Sequence, residues 1–240
     1  MTFFLFQIYP YIALTVLAVG SIARYERDPF TWKTSSSQLL RRRQLMIGSV
    51  LFHAGVLVIF FGHLFGLLTP LWLLEALGVP HGVKQVLAIV VGGVAGIAAL
   101  AGGAMLLHRR LTDPRILATS TVSDIAILVL LLAQLLLGIG TIFVSLQHLD
   151  GEEMVRFMLW AQGIFTFRTD AWEHVRDASL VFKLHVFLGL TIFLLFPFTR
   201  LVHMLSAPVR YLWRPGYQVV RTRRAADEPR SGRAPGHPAE

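Results

Sequence analysis

Long apolar stretches dominate this chain and set its predicted architecture. Five of them stand out between polar segments, at residues 3–23, 47–69, 86–107, 122–146 and 180–204. Each is long enough to cross a hydrocarbon core of about 30 Å as an α-helix, which needs about 20 residues. The stretches lack the alternation of apolar and polar positions that marks a transmembrane barrel strand. The pattern therefore predicts an all-α integral membrane protein with five transmembrane helices.

The basic residues gather at one set of helix ends. Sixteen of the 22 lysines and arginines lie before the second span, in the short link after the third span, or beyond the fifth. Such an excess marks the cytoplasmic side of a membrane protein. We therefore expect the N-terminus outside, in the periplasm, and the C-terminus in the cytoplasm. Residues 1–213 would form the membrane domain, and residues 214–240 a polar cytoplasmic tail with a disordered end.

Composition narrows the classes of protein and of site. Only 15% of the residues are charged, against about a quarter in soluble domains. The net charge of +8 flanks apolar runs, so membrane topology explains it better than nucleic-acid binding does. The chain has no cysteine, which excludes disulfides, iron–sulfur ligation and covalent haem attachment by this chain. We predict no cleavable signal peptide, because residues 1–6 lack a basic segment and no cleavage site follows.

Four of the nine histidines lie inside predicted spans. The second span holds His53 and His63, and the fifth holds His185 and His203. An ionisable residue in a span is a functional hypothesis by default, and neutral imidazole is a common haem ligand. Because the two spans run in opposite directions, His63 and His185 share the outer depth, and His53 and His203 share the inner depth. This arrangement predicts two bis-histidine b haems that carry electrons across the bilayer.

Helix geometry complicates this pairing. The 18 residues between the fifth-span histidines make five turns and rise about 27 Å, whereas the ten residues in the second span rise about 15 Å. Pro197 lies between the fifth-span histidines and can kink that helix. The alternative is a haem-free channel or anchor whose histidines bond to neighbouring helices. The remaining histidines lie outside the spans and receive no metal role: His81, His108, His148, His174 and His237.

A few further residues are candidates for cofactor or quinol contacts. Arg109, Arg110 and Arg200 can pair with the acidic propionates of an inner haem, although membrane anchoring explains each equally well. Lys84 stands almost alone as a cation between the second and third spans. It can hydrogen-bond a quinol near His63 or snorkel to the lipid headgroups.

Glycines flank the second-span histidines at positions 55, 62 and 66. Small residues leave space for a flat macrocycle, but they also allow ordinary close helix packing. The glycine-rich run in the third span, residues 92–103, is typical of such packing.

Several motifs carry a family resemblance. They are IYPYIA (8–13), SSQLL (36–40), LFHAG (51–55), FFGHLFGLLTP (60–70), VKQ (83–85), RRLTDPR (109–115), QHLDG (147–151) and FKLHVFLGLTIFLLFPFTRLVH (182–203). On these stretches the chain resembles the gamma subunit of membrane-bound respiratory nitrate reductase, a dihaem cytochrome b. The resemblance departs at His108, where a family member has lysine, and beyond about residue 221.

The resemblance implies a function in the bacterial cytoplasmic (inner) membrane. His53 and His203 would bind the haem nearer the cytoplasm, and His63 and His185 the outer haem. Quinol would be oxidised beside the outer haem, with Lys84, Gly62 and His63 as quinol-site candidates. Electrons would pass to a cytoplasmic iron–sulfur (beta) subunit and a molybdenum catalytic (alpha) subunit, which reduces nitrate. A dihaem subunit of a sulfite- or heterodisulfide-linked complex is the alternative of the same class.

Overall fold

The computed structural model describes residues 1–32, 40–147 and 149–206. The predicted tail, His148 and His237 lie outside these residues, so their assignments remain predictions. Within the described part no strand occurs, and five helices are long and apolar enough to cross a membrane. The predicted five-helix, all-α membrane fold is confirmed. These spans are Phe4–Arg27, Arg42–Leu68, His81–Thr112, Val122–Ser145 and Leu180–Phe198.

Eight α-helices are present in the described residues, of which three are short connectors. The five long ones are α1 (Tyr9–Arg27), α2 (Arg42–Leu68), α4 (His81–Thr112), α6 (Val122–Ser145) and α8 (Leu180–Leu195). The connectors are α3 (Leu71–Ala76), α5 (Pro114–Ala118) and α7 (Glu152–Phe165). A π-helical turn at Phe4–Ile8 extends α1 into a 24-residue span.

The spans pack in a fixed order. Helix α2 packs on α4, α4 on α6, α6 on α8, and α8 on α1. In contrast, α2 makes no comparably close packing with α8. We call one end of this bundle the arginine end, because Arg41 pairs there with Asp113 at 3.3 Å and Arg109 donates to the Leu40 carbonyl at 2.6 Å. The other is the lysine end, which holds Lys84.

Glycine explains the close approach of α2 and α4. A Cβ atom added at Gly55 would lie 2.5 Å from the carbonyl oxygen of Ala95, and one added at Gly102 would lie 2.4 Å from the peptide nitrogen of Phe52. Real Cβ atoms cannot approach that closely, so only glycine permits this seam. The packing interpretation of the third-span glycines therefore holds at Gly102. It also applies to Gly55.

Helix α7 and the loop after it form a cap over the lysine end. The indole nitrogen of Trp160 on α7 donates to the carbonyl of Phe6 at 2.8 Å. The buried Gln7 amide donates to the Arg168 carbonyl at 2.8 Å and accepts from the Trp172 amide at 3.2 Å. In the exposed loop, a hydrogen bond from the Arg168 side chain holds the pKa of Asp170 below its usual value. These bonds fix α7 and the loop after it over the start of α1.

The fifth span is broken: the helix predicted over residues 180–204, with a kink at Pro197, ends as an α-helix at Leu195. Helix α8 ends at Leu195 and is followed by a 3-10 turn at Phe196–Phe198. Thr199 is extended, with φ −118° and ψ −179°, and a second 3-10 turn runs over Arg200–Met204. Pro197 lacks the amide hydrogen that a helix interior needs, and its ring crowds the preceding turn. The disturbance at Pro197 is thus larger than the expected kink.

Candidate functional site

The structure brings the four span histidines together in two pairs. The ring centres of His63 and His185 are 6.1 Å apart, and those of His53 and His203 are 6.2 Å apart. The ring planes meet at 41° in the first pair and at 71° in the second. The His63–His185 pair lies toward the lysine end, and the His53–His203 pair lies toward the arginine end. Both pairs reach nearly the same separation despite the unequal spacings, and the break after Leu195 lies between the two fifth-span histidines.

Each separation would fit one metal atom held between the two imidazoles of a pair. Metal bonds to imidazole nitrogen are about 2.0–2.1 Å long and the ring centre lies about 1.1 Å behind the nitrogen, which places two opposing ring centres about 6.3 Å apart. Direct imidazole stacking or hydrogen bonding would bring the rings closer. Among the described residues, no group of three or more His, Asp or Glu side chains is placed to hold a metal ion. The donor set is therefore two imidazoles per site, as bis-histidine haem requires.

Backbone carbonyls orient three of the four imidazoles. The Nδ1 atoms of His53 and His63 lie 2.8 Å from the Ser49 carbonyl and 2.9 Å from the Ile59 carbonyl, each one turn earlier on α2. The Nδ1 atom of His203 lies 2.5 Å from the Arg200 carbonyl. Since a carbonyl only accepts, Nδ1 carries the proton and Nε2 keeps a lone pair for a metal. A hydrogen bond from the ring nitrogen that does not bind the metal is typical of metal-bound histidine.

His185 is held differently, by the fourth span. The side-chain amide of Gln134 donates to the His185 carbonyl at 3.0 Å, and its nitrogen lies 3.4 Å from the imidazole Nε2. The imidazole packs on Gly138, where an added Cβ would lie 3.0 Å from Cε1. The buried Nδ1 atom has no hydrogen-bond partner among the described residues. A buried imidazole nitrogen without a partner is costly, which fits a site that a ligand completes.

Sequence reasoning missed Gln134 and Gly138. A signal was available for Gln134, since an amide in the middle of an apolar span is costly unless it is bonded. Gly138 follows one turn later on the same face of α6. Neither residue identifies its partner by itself, because the partner lies on a span 51 residues further along the chain.

Open space adjoins the histidines of α2. His53 and His63 are exposed in the apolar part of α2. A Cβ added at Gly62 or Gly66 would meet nothing within 4 Å. Since α2 and α8 do not pack closely, the gap between them can admit a flat macrocycle. Gly62 and Gly66 thus fit the cofactor interpretation, whereas Gly55 serves helix packing.

Lys84 turns toward the bundle rather than away from it. It lies in the first turn of α4, not in the loop before it. Its ammonium donates to the Gly66 carbonyl at 2.8 Å and contacts the Met158 sulfur at 3.2 Å. Gly66 follows His63 by three residues, a rise of about 4.5 Å along α2. This position favours a role beside His63 over snorkelling to the headgroups.

The three arginine candidates lie at the arginine end in different surroundings. Arg110 and Arg200 approach the same carboxylate, Asp124, at 3.6 Å and 3.5 Å. Asp124 also completes a capping box with Thr121 at the start of α6. Two arginines on one carboxylate leave a net positive charge, which would attract an acidic group such as a haem propionate. Arg109 is buried and donates to the carbonyl of Leu40, so its first role is to join α4 to the chain before α2.

Comparison with known proteins identifies the family of this chain. The model of the nitrate reductase gamma subunit family matches residues 2–223. The chain belongs to the nitrate reductase gamma subunit family. It is 53% identical to the respiratory nitrate reductase 2 gamma chain of Escherichia coli (strain K12) over 92% of this chain and 97% of that protein. It is 41% identical to the nitrate reductase gamma chain of Bacillus subtilis (strain 168) over 91% of this chain and 97% of that protein.

The family resemblance predicted from the sequence motifs is thereby confirmed. A third relative, the respiratory nitrate reductase 1 gamma chain of Escherichia coli (strain K12), is 50% identical over 92% of this chain. Together with the five apolar helices, the match shows a multi-pass membrane protein of this oxidoreductase family.

Proposed function

We propose that this chain is the membrane-anchoring cytochrome b subunit of a respiratory nitrate reductase in the bacterial cytoplasmic membrane. His63 and His185 would hold an outer b haem, and His53 and His203 an inner one. The observation that carries this proposal is the pair of ring separations, 6.1 Å and 6.2 Å, at two depths between α2 and the last span. Two sites with the same donor set and nearly the same spacing support two equivalent groups.

Charge supports the orientation in the membrane. The arginine end carries the Arg41–Asp113 pair, the Arg110–Asp124 pair and Arg200. The positive-inside rule places such an end in the cytoplasm. The lysine end, with Lys84 and the cap formed by α7, then faces outward.

When bound, the two haems would carry single electrons from quinol at the outer side to a cytoplasmic partner. The alpha and beta subunits implied by the gamma family are the partners we propose. Nitrate is then reduced on a partner subunit.

The residues around Lys84 suit quinol oxidation. A quinol that becomes a quinone loses two electrons and two protons. The Lys84 ammonium can donate a hydrogen bond to a quinol oxygen next to His63. The lack of side chains at Gly62 and Gly66 leaves space there for a ring. Because this site lies at the lysine end, the two protons would leave to the outside while the electrons cross inward, which generates membrane potential.

Haem content of single-histidine variants tests the pairing. We expect the full complex in membranes to show a b-type α-band in its reduced-minus-oxidised spectrum and two haems per chain. His63→Ala and His185→Ala should each remove the same haem, and His53→Ala and His203→Ala the other. A wild-type protein without the band would exclude the haem proposal, and variants that keep both haems would exclude the pairing.

A lysine substitution tests the quinol site. Lys84→Ala should lower the rate of quinol oxidation while both haems stay bound, because it removes the ammonium that would donate to a quinol oxygen beside His63. Arg156→Ala is the matched control, since Arg156 is an exposed cation at the same end. Equal quinol kinetics in the Lys84 variant and wild type would return Lys84 to a lipid-anchoring role.

A further inference from the structure

Arg24, at the last turn of α1, reaches the break in the fifth span. One guanidinium nitrogen, Nη1, donates to the carbonyls of Pro197 and Thr199, both at 2.8 Å. In a continuous helix the Pro197 carbonyl would accept the amide of Leu201, and the Thr199 carbonyl the amide of His203. At this point Arg24 therefore takes up two carbonyls that a continuous helix would bond internally.

The rest of the guanidinium fixes the chain on the other side. Its Nε donates to the Thr31 hydroxyl at 3.2 Å and its Nη2 to the Thr31 carbonyl at 3.1 Å. The short turn Pro29–Thr31 after α1 is thus tied to the same side chain as the broken span. A planar fork with several donors makes these bonds together, which a lysine ammonium cannot do.

A second residue of α1 fits the same break. Gly20 precedes Arg24 by one turn and faces the Pro197 ring, where an added Cβ would lie 2.8 Å from Cγ. Glycine therefore lets the proline ring seat against α1, and Arg24 secures the carbonyls beside it. These two contacts define what we call the α1 clamp.

The clamp acts on a candidate metal ligand. The chain after Thr199 turns through Arg200–Met204, and the His203 imidazole is oriented by the Arg200 carbonyl. The Thr199 carbonyl that Arg24 holds belongs to the peptide unit directly before Arg200. The position of the turn that carries His203 is therefore set by the break and by what holds the break in place.

We propose that Arg24 is a positioning residue for His203, holding the broken fifth span so that this imidazole meets His53. The proposal rests on the proposed function for its redox consequence, but its structural content stands without it. Arg24 belongs to the basic residues that indicate topology, and topology alone assigns it no partner on the last span. The other histidine pair depends on Gln134 and α2, so it should not respond to Arg24.

The test compares Arg24→Lys with Arg27→Lys in the purified full complex. Both keep the charge at the end of α1, and Arg27 is exposed. We expect Arg24→Lys to shift the midpoint potential and EPR signal of the inner haem only. Hydrogen exchange at the amides of residues 200–205 should rise by about tenfold, the effect of losing one charge-assisted hydrogen bond. Arg27→Lys should match wild type in both measurements.

Distinct results would overturn the clamp or the proposed function. If neither haem changes in Arg24→Lys, or both change together, Arg24 does not position His203 specifically. If exchange over residues 200–205 stays at the wild-type rate, the clamp itself is wrong. If wild type contains no b haem, the proposed function fails, while faster exchange in Arg24→Lys would still support the clamp. Gly20→Ala, which crowds Pro197 without changing charge, should raise exchange over the same residues.

Discussion

The seam between α2 and α4 gives the sharpest stability prediction. We expect Gly102→Ala to destabilise the bundle, although alanine is the better helix former. The added Cβ would lie 2.4 Å from the peptide nitrogen of Phe52, 2.7 Å from the Gly48 carbonyl oxygen and 2.9 Å from the Leu51 Cβ. None of these atoms sits at the end of a flexible side chain, so no rotamer change relieves the contact.

The structure sets the size of the effect. Carbon contacts are normally about 3.5–4.0 Å, so the two helices must separate by roughly 1 Å. Overpacking of this kind costs about 1–3 kcal/mol, and the better helix propensity of alanine returns about 0.5–1 kcal/mol. A net loss of about 1–2 kcal/mol should lower the melting temperature of a chain this long by roughly 2–8 °C.

Thermal unfolding in detergent, followed by helical circular dichroism, measures this difference. Gly92→Ala is the matched control, because it lies on the same helix and an added Cβ there meets nothing within 4 Å. The control should melt at the wild-type temperature or slightly above it. Equal melting temperatures for the two variants would refute the claim that glycine is required where α4 meets Phe52. Since Phe52 precedes His53, the Gly102 variant should also disturb the inner histidine pair.

Two other predictions concern the histidine pairs. Gln134→Leu removes the donor to the His185 carbonyl, so the midpoint potential of the proposed outer haem should shift in a redox titration while that of the proposed inner haem stays constant. A shift of the proposed inner haem alone would contradict this assignment. Imidazole planes nearer to perpendicular would give a ferric haem held between them the more anisotropic EPR signal, and the planes of His53 and His203 meet at 71° against 41° for the other pair. The more anisotropic signal should therefore disappear in His203→Ala, and its survival there would show that the planes are set differently.

Span positions were predictable because hydropathy measures what a bilayer selects. The four histidines stood out because an ionisable residue inside an apolar span is costly unless it has a partner or a function. Their depth followed from the antiparallel run of α2 and α8. These inferences use only the local sequence and the direction of each span.

The break in the last span was predictable only in part. Pro197 signals a disturbance, because proline removes a helical hydrogen bond wherever it sits. Whether the helix bends or stops depends on what accepts or donates to the freed backbone groups. Here the donor is Arg24, 173 residues away from Pro197 in sequence. No local pattern contains that information.

Charge patterns also conceal individual roles. Arg24, Arg109, Arg110 and Arg200 all read as positive-inside residues in the sequence. In the structure, Arg24 bonds to the last span, Arg109 to the chain before α2, and the other two share Asp124. The two interpretations are compatible, because a guanidinium at a helix end can mark the cytoplasmic side and also bond to a specific partner.

The different support of the two histidine sets bears on the order of assembly. On α2, each imidazole is oriented by a carbonyl of its own helix, so that half of both sites forms as soon as α2 is helical. The other half relies on Gln134 from α6 and on Arg24 from α1, and its histidines lie on the fifth span, which follows the other four in the sequence. Neither site can close before that span has entered the membrane and docked between its neighbours. Insertion of the fifth span is thus the step that completes both histidine pairs.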